Sequence, residues 1–137
     1  MNNIYIDDND FKNTDEYSNF MGENPVVGYL KVRAYAANQA VPISNLKIVV
    51  SKKIGNNNVI FFEGYTDQSG TIEKITLPTK RLNLSNMDVP KSTTYDITAI
   101  YQEENDIRTY IVNIYENIYV IQNISVVPNT NFDLRRL

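Results

Sequence analysis

The sequence predicts an all-β fold, a seven-stranded Greek-key β-sandwich. Apolar and polar residues alternate with a period of two in several short segments, and clusters of Gly, Asn, Asp and Pro separate these segments. The ten tyrosines agree with this prediction, because Tyr is a strand former, whereas Ala and Leu, which favour helix, are scarce. No segment predicts a convincing helix.

Each strand is predicted from its alternation and from the turn that follows it. In the first strand, Leu30, Val32 and Ala34 are expected to face the core. Gly55 and the asparagines after it tolerate positive φ and predict a hairpin turn. Pro78 is expected to end the fourth strand. The predicted strands span residues 26–36, 46–51, 59–65, 71–77, 94–102, 107–114 and 118–127.

The chain is predicted to form one domain with two short extensions. Residues 1–24 are acidic and rich in Asn, without a sustained period, so we expect a flexible arm, with one short ordered piece as the alternative. Residues 25–128 form the sandwich, and residues 129–137 form a short tail. Because six carboxylates and one lysine lie in residues 1–25, the remainder has a small positive charge. So small a charge predicts no nucleic-acid partner.

Histidine and cysteine are both absent from the sequence. Their absence removes the commonest general base, the commonest metal ligand and all thiolate chemistry. We therefore expect a protein that is not an enzyme and that has no cofactor. The acidic cluster at residues 7–10 carries carboxylates suited to calcium, but it lacks the glycine and the distal glutamate of an EF-hand. A solvated arm is the favoured interpretation, and no metal site is predicted.

The apolar runs are too short to span a bilayer, so no membrane span is expected. The N-terminus has no basic region followed by an apolar one, so no signal peptide is predicted. The compartment stays unknown. A chain made in the cytoplasm would remain there, associate with a spore, or leave by a route that needs no such signal.

The outward row of the first strand is the candidate binding surface. It consists of Tyr29, Lys31, Arg33 and Tyr35, which alternate with the predicted core residues. Aromatic and cationic side chains together suit the recognition of a glycan or a peptide. The favoured alternative is structural: a solvated sheet face, or a face covered by the arm.

An internal isopeptide bond would need a buried lysine and a buried asparagine on the first and last strands. Lys31 and Asn123 are the best candidates. Both alternate with predicted core residues, so both are expected to point outward and no such bond is predicted.

The order of the turn signals resembles that of the prealbumin-like (transthyretin-like) or carboxypeptidase-regulatory-like β-sandwich. Val41-Pro42-Ile43 follows the first strand, Thr66-Asp67-Gln68-Ser69-Gly70 forms a later turn, and Tyr95-Asp96-Ile97 opens the fifth strand. The resemblance covers residues 26–128. Ser44-Asn45 departs from it, because Gly-Ala is frequent there. It implies a fold rather than a function.

A narrower resemblance is to the N-terminal, non-catalytic domain of spore cortex-lytic enzymes. Leu77-Pro78, Leu84-Ser85, Pro90 and Tyr95 occur in the same order as in that domain. This resemblance implies an association with a spore or cell envelope. Because those enzymes carry their catalytic region elsewhere, it implies no hydrolase activity for this chain.

Together these observations favour a structural or protein-interaction module without enzymatic activity. The expected partner is another protein or a second copy of the chain. One alternative is a module that binds a polysaccharide such as peptidoglycan through Tyr29 and Arg33. The other is a subunit of a phage-like or secreted assembly that associates through exposed edge strands.

Overall fold

The computed structural model describes residues 5–6, 14–36, 40–82, 90–101 and 106–126, and these form two β-sheets and one helix. The elements in chain order are β1 (Tyr5–Ile6), α1 (Asp15–Glu23), β2 (Val26–Ala36), β3 (Val41–Pro42), β4 (Lys47–Ile54), β5 (Asn57–Tyr65), β6 (Thr71–Thr79), β7 (Thr93–Tyr101), β8 (Asp106–Ile114) and β9 (Tyr119–Ser125).

The strands form a five-stranded sheet in the order β1-β5-β4-β7-β8 and a four-stranded sheet centred on β2. In the four-stranded sheet, β2 pairs with β6 and the short β3 antiparallel, and with β9 parallel. The predicted two-sheet, all-β sandwich is therefore confirmed. The seven long strands match the predicted ones within a few residues.

The core lies between the two sheets and is built from alternate residues of each strand. Leu30, Val32 and Ala34 are buried, as the alternation predicts. The opposing sheet contributes the apolar side chains of β4 and β7, and no described buried side-chain nitrogen or oxygen lacks a hydrogen bond. The buried side chains from β4 and β7 include Ile48, Val50, Tyr95, Ile97 and Ala99.

Pro78 does not end the fourth predicted strand, since β6 continues to Thr79. Pro78 lies opposite Val27 of β2. Within the described residues β6 pairs only with β2, and such an edge strand tolerates a proline, which lacks the N–H donor. The carbonyl of Pro78 accepts a hydrogen bond from the Tyr95 hydroxyl, so this residue is also a contact between the two sheets.

Helix α1 is an ordered piece, residues 14–24, within the segment predicted to be a flexible arm. The Thr14 hydroxyl caps the helix by accepting a hydrogen bond from the Tyr17 amide at 3.3 Å. Phe20 is buried, and its ring centroid lies 5.5 Å from that of Phe61 on β5. Packing against the sandwich, rather than a long amphipathic pattern, therefore stabilises this short helix. Residues 7–13, which include the whole acidic cluster at 7–10, and the predicted tail at 129–137 lie outside the described residues.

The Thr-Asp-x-x-Gly turn has a structural role. The Thr66 hydroxyl accepts from the Leu46 amide at 3.0 Å and donates to the Ile43 carbonyl at 2.7 Å. Asp67 Oδ1 accepts from the backbone amides of Ser69 and Thr71, at 2.9 and 3.0 Å. Gly70 has a φ of 77°, and a Cβ there would lie 2.5 Å from a carbonyl oxygen of β2.

Replacing Phe20 by alanine tests whether α1 is part of the folded domain. We expect Phe20→Ala to lower the free energy of unfolding by about 3–5 kcal/mol, because it removes a buried ring and leaves a cavity. Gly22→Ala is the control, since nothing lies within 4 Å of the added Cβ, and alanine in a helix should stabilise by about 0.5–1 kcal/mol. Urea denaturation measures both, and a loss below about 1 kcal/mol for Phe20→Ala would contradict the packing.

Candidate functional site

The predicted binding row lies on the outer face of the four-stranded sheet. All four side chains point away from the core, because they alternate with buried residues along β2. Strand β9 adds two further side chains to this face, with Tyr119 opposite Tyr29 and Ile121 opposite Lys31. The structure therefore brings together Tyr29, Lys31, Arg33, Tyr35, Tyr119 and Ile121 on one surface.

Tyr29 is not an open aromatic platform. Its ring stacks on Tyr119 with a centroid separation of 4.9 Å and an interplanar angle of 25°. The ammonium of Lys74 lies 4.7 Å from the Tyr29 ring centroid, a cation–π contact. Tyr119, by contrast, is 55% exposed. Of this pair, Tyr119 is the more accessible to a ligand.

The charge of Lys31 is also already paired. Its ammonium lies 3.2 Å from a carboxylate oxygen of Glu73 on β6. A hydrogen bond from the Thr71 hydroxyl and the nearby Lys31 ammonium lower the pKa of Glu73 below its ordinary value. Lys31 and Asn123 both lie on this outer face, so neither has the buried setting that an isopeptide bond needs.

A second surface, which the sequence analysis did not identify, is the most apolar exposed region of the described chain. Five of the eight exposed large hydrophobic residues fall within residues 107–121, on β8, the following turn and β9. Ile107 and Ile111 are the most exposed, at 65% and 70%. We call this surface the β8–β9 side, and its apolar residues are Ile107, Ile111, Ile118, Tyr119 and Ile121.

Both strands of the β8–β9 side are edge strands. Among the described residues, β8 pairs only with β7, and β9 pairs only with β2. Neither strand contains a proline or a lysine, and neither pairing shows a bulge. Of the features that protect a sheet edge, β8 has two charged residues, Asp106 and the inner-face Arg108. The sequence contained a weak signal of this exposed apolar surface, because isoleucine occupies both the inward and the outward positions of residues 107–114.

Two groups with shifted pKa values, Lys52 and Tyr95, contact backbone carbonyls and aromatic rings. Partial burial, and then the charge of Lys80, lower the pKa of Lys52. The Lys52 ammonium donates to the Thr94 carbonyl at 2.8 Å and lies 5.7 Å from the centroid of the Tyr95 ring. Burial raises the pKa of the Tyr95 phenol, whose hydroxyl donates to a backbone carbonyl.

No cluster of three or more potential metal ligands occurs in the part of the chain that the structure describes. A shallow depression of about 530 Å³ lies beside the end of α1. Three of its lining residues are cationic, and all of its lining residues except the half-buried Lys80 are exposed. We assign no ligand to it. Its lining residues are Gly22, Glu23, Pro25, Lys80, Arg81 and Lys91.

No protein-family model and no curated protein matches the sequence. Among solved structures, transthyretin from Sparus aurata is similar with 12% identity and a TM-score of 0.42, over 71% of this chain and 90% of that chain. A 9R-lipoxygenase from Cyanothece PCC8801 is similar with 12% identity and a TM-score of 0.37, over 75% of this chain and 16% of that chain. Neither match assigns a family or a function.

The helix of the described chain is too short and too polar to cross a membrane.

The Glu73 contacts predict a pH dependence of stability. Because the folded-state pKa of Glu73 lies below the ordinary value of 4.5, its contribution is present at neutral pH and is lost as the pH falls through the folded-state pKa. We therefore expect Glu73→Gln to lower the thermal midpoint at about pH 7 and to have little effect at about pH 2. Thermal unfolding followed by circular dichroism measures the difference, and an equal effect at both pH values would contradict the assignment.

Proposed function

We propose that this chain is a non-enzymatic protein-interaction module that binds its partner through the β8–β9 side. The observation that carries the proposal is the concentration of exposed apolar side chains on two strands that are edges among the described residues. A single surface isoleucine is ordinary, whereas several exposed apolar side chains on open edge strands suit an interaction surface. An added strand would gain backbone hydrogen bonds and apolar contacts together.

The absence of histidine and cysteine supports a role without catalysis. The two groups with the most perturbed surroundings, Lys52 and Tyr95, contact backbone carbonyls and aromatic rings. Such contacts stabilise the fold and leave these groups without the partners that general acid–base or nucleophilic chemistry requires.

Paired variants test the interaction function. We expect Ile111→Glu and Ile121→Glu each to weaken partner capture at least about tenfold, because a charge would be placed inside an apolar contact. Val41→Glu is the matched control, since Val41 is 48% exposed but lies on β3, away from the β8–β9 side.

The measurement is affinity capture from an extract of the producing cells, quantified by mass spectrometry, with this chain included among the proteins counted. Circular dichroism confirms that each variant is folded. If Ile111→Glu and Ile121→Glu retain the same proteins as the unchanged chain, the proposed function is wrong.

Carbohydrate binding is the second candidate function, and the accessible ring of Tyr119 beside Tyr29 favours it. If it is correct, Tyr119→Ala should abolish retention on an insoluble polysaccharide such as peptidoglycan. Tyr65→Ala is the control, because Tyr65 is 54% exposed on the other sheet. Equal retention of the two variants in a pull-down would contradict glycan binding through this face.

Two wider proposals concern where such a module acts. The resemblance to spore cortex-lytic enzymes supports a spore or cell envelope, and the open edges support a phage-like or secreted assembly. Fractionation of the producing cells, followed by detection of the chain, would separate these settings.

A further inference from the structure

The cations beside the end of α1 have no carboxylate partner among the described residues. Lys80, Arg81 and Lys91 line the depression there, and we call these three residues the cationic end. The two ion pairs between described residues, one in each sheet, include none of them. Glu23, the one carboxylate among the lining residues, belongs to neither pair. Because the chain has a net charge of −3, an unpaired group of cations is not a consequence of its composition.

The position of Lys80 is electrostatically unfavourable in the free chain. Lys80 is half-buried, and its charge lowers the pKa of Lys52, after the larger effect of the partial burial of Lys52 itself. Asp96 acts in the opposite direction, but the pKa of Lys52 still lies below its ordinary value. Two cations in a partly desolvated setting repel each other more strongly than two cations in water. A negative charge beside Lys80 would offset this repulsion, so the surface favours an anionic partner.

A buried chain of polar contacts holds the backbone beneath the cationic end. Lys80 directly follows Thr79, and Lys91 lies two positions before Thr93. The Thr79 hydroxyl lies 3.3 Å from that of Thr93, and the Thr93 hydroxyl donates to the side chain of Asn24 at the end of α1. All three polar residues are buried. The segments that carry the cations are therefore fixed relative to one another before a partner binds, which lowers the entropic cost of binding.

An acidic polypeptide segment fits this surface better than a small anion or a long polyanion. The depression is shallow and most of its lining is exposed, so it encloses no small molecule. Arg81 can hold a carboxylate through two parallel hydrogen bonds. Of the nearby carboxylates, Glu116 already accepts from the Leu82 amide at 2.8 Å, whereas Glu23 can accept from a backbone N–H of a peptide but repels a nucleic acid or polyphosphate. The net charge of −3 also disfavours a polyanion longer than the surface.

We propose that the cationic end docks an acidic segment of a partner protein, with carboxylates of that segment beside Lys80, Arg81 and Lys91. The contact is electrostatic, whereas the contact proposed for the β8–β9 side is apolar. The cationic end uses no residue of the β8–β9 side, so this inference stands independently of the interaction function proposed above.

A defined acidic peptide tests the proposal with the full chain. The probe is a fluorescein-labelled oligoglutamate, and fluorescence anisotropy measures its binding. We expect saturable binding by the unchanged chain. The double variant Arg81→Glu/Lys91→Glu should raise the dissociation constant at least about tenfold, because two attractive contacts become repulsive. Both residues are exposed, so the variant should fold, and circular dichroism checks that it does.

The matched control is Arg33→Glu/Lys74→Glu, which exchanges the same number of charges at exposed positions on β2 and β6. Both double variants have the same net charge, so a general electrostatic effect would weaken the binding of oligoglutamate equally in the two. Docking at the cationic end predicts that the control binds like the unchanged chain. Ile111→Glu should also leave the binding of oligoglutamate unchanged, because it lies outside the cationic end.

Three results would overturn the proposal. They are no saturable binding of oligoglutamate, an equal loss in both double variants, and binding of a polyphosphate or a single-stranded DNA of the same charge as tightly as oligoglutamate. The last result would mean that the surface takes polyanions rather than an acidic polypeptide. If only Arg81→Glu/Lys91→Glu loses oligoglutamate, while Ile111→Glu and Ile121→Glu still capture the same proteins from the extract, the cationic end stands and the function proposed for the β8–β9 side is wrong.

Discussion

The fold depends most directly on Tyr95, which links both sheets and the helix. Its hydroxyl donates to the carbonyl of Pro78, which joins β7 of one sheet to β6 of the other. Its ring packs edge-on against Phe61 at 5.3 Å, and Phe61 in turn contacts Phe20 of α1. A buried hydroxyl without a partner would be costly, so this hydrogen bond also restricts how the sheets can be placed.

A second set of buried polar contacts stabilises the region where α1 ends and β2 begins. The Asn24 amide donates to the Phe20 carbonyl at 2.8 Å, and its oxygen accepts from the Thr93 hydroxyl. The Thr79 hydroxyl lies 3.3 Å from that of Thr93 and donates to the carbonyl of Ile114 at 2.6 Å. These contacts join the helix to β6, β7 and β8. On the outer face of β8, Asn113 accepts a hydrogen bond from the Thr94 hydroxyl at 2.8 Å, while Ile107 and Ile111 remain exposed.

Much of the sandwich could be predicted because its signals are local. Alternation at Leu30 and Val32 fixes which side of β2 is buried, and Asp67 and Gly70 form a turn from their own side-chain and backbone properties. Helix α1 was missed because its apolar stripe is only one turn long and its burial depends on Phe61, forty-one positions away in the sequence. Residue patterns alone do not encode such distant contacts.

Contacts between distant residues also decide which side chains of the candidate surface are accessible, and the sequence does not predict them. The sequence places Tyr29 outward, but whether its ring is accessible depends on Tyr119 and Lys74, which only the strand register brings beside it. Likewise, an isoleucine in a strand is most often a core residue, so isoleucines at both inward and outward positions of residues 107–114 were only a weak signal. The pairing shows that β8 is an edge and that Ile107 and Ile111 are exposed. The parallel pairing of β9 with β2 therefore has two consequences. It places Tyr119 on the ring of Tyr29, which lies on the surface predicted to bind, and it leaves Ile121 exposed on the same face.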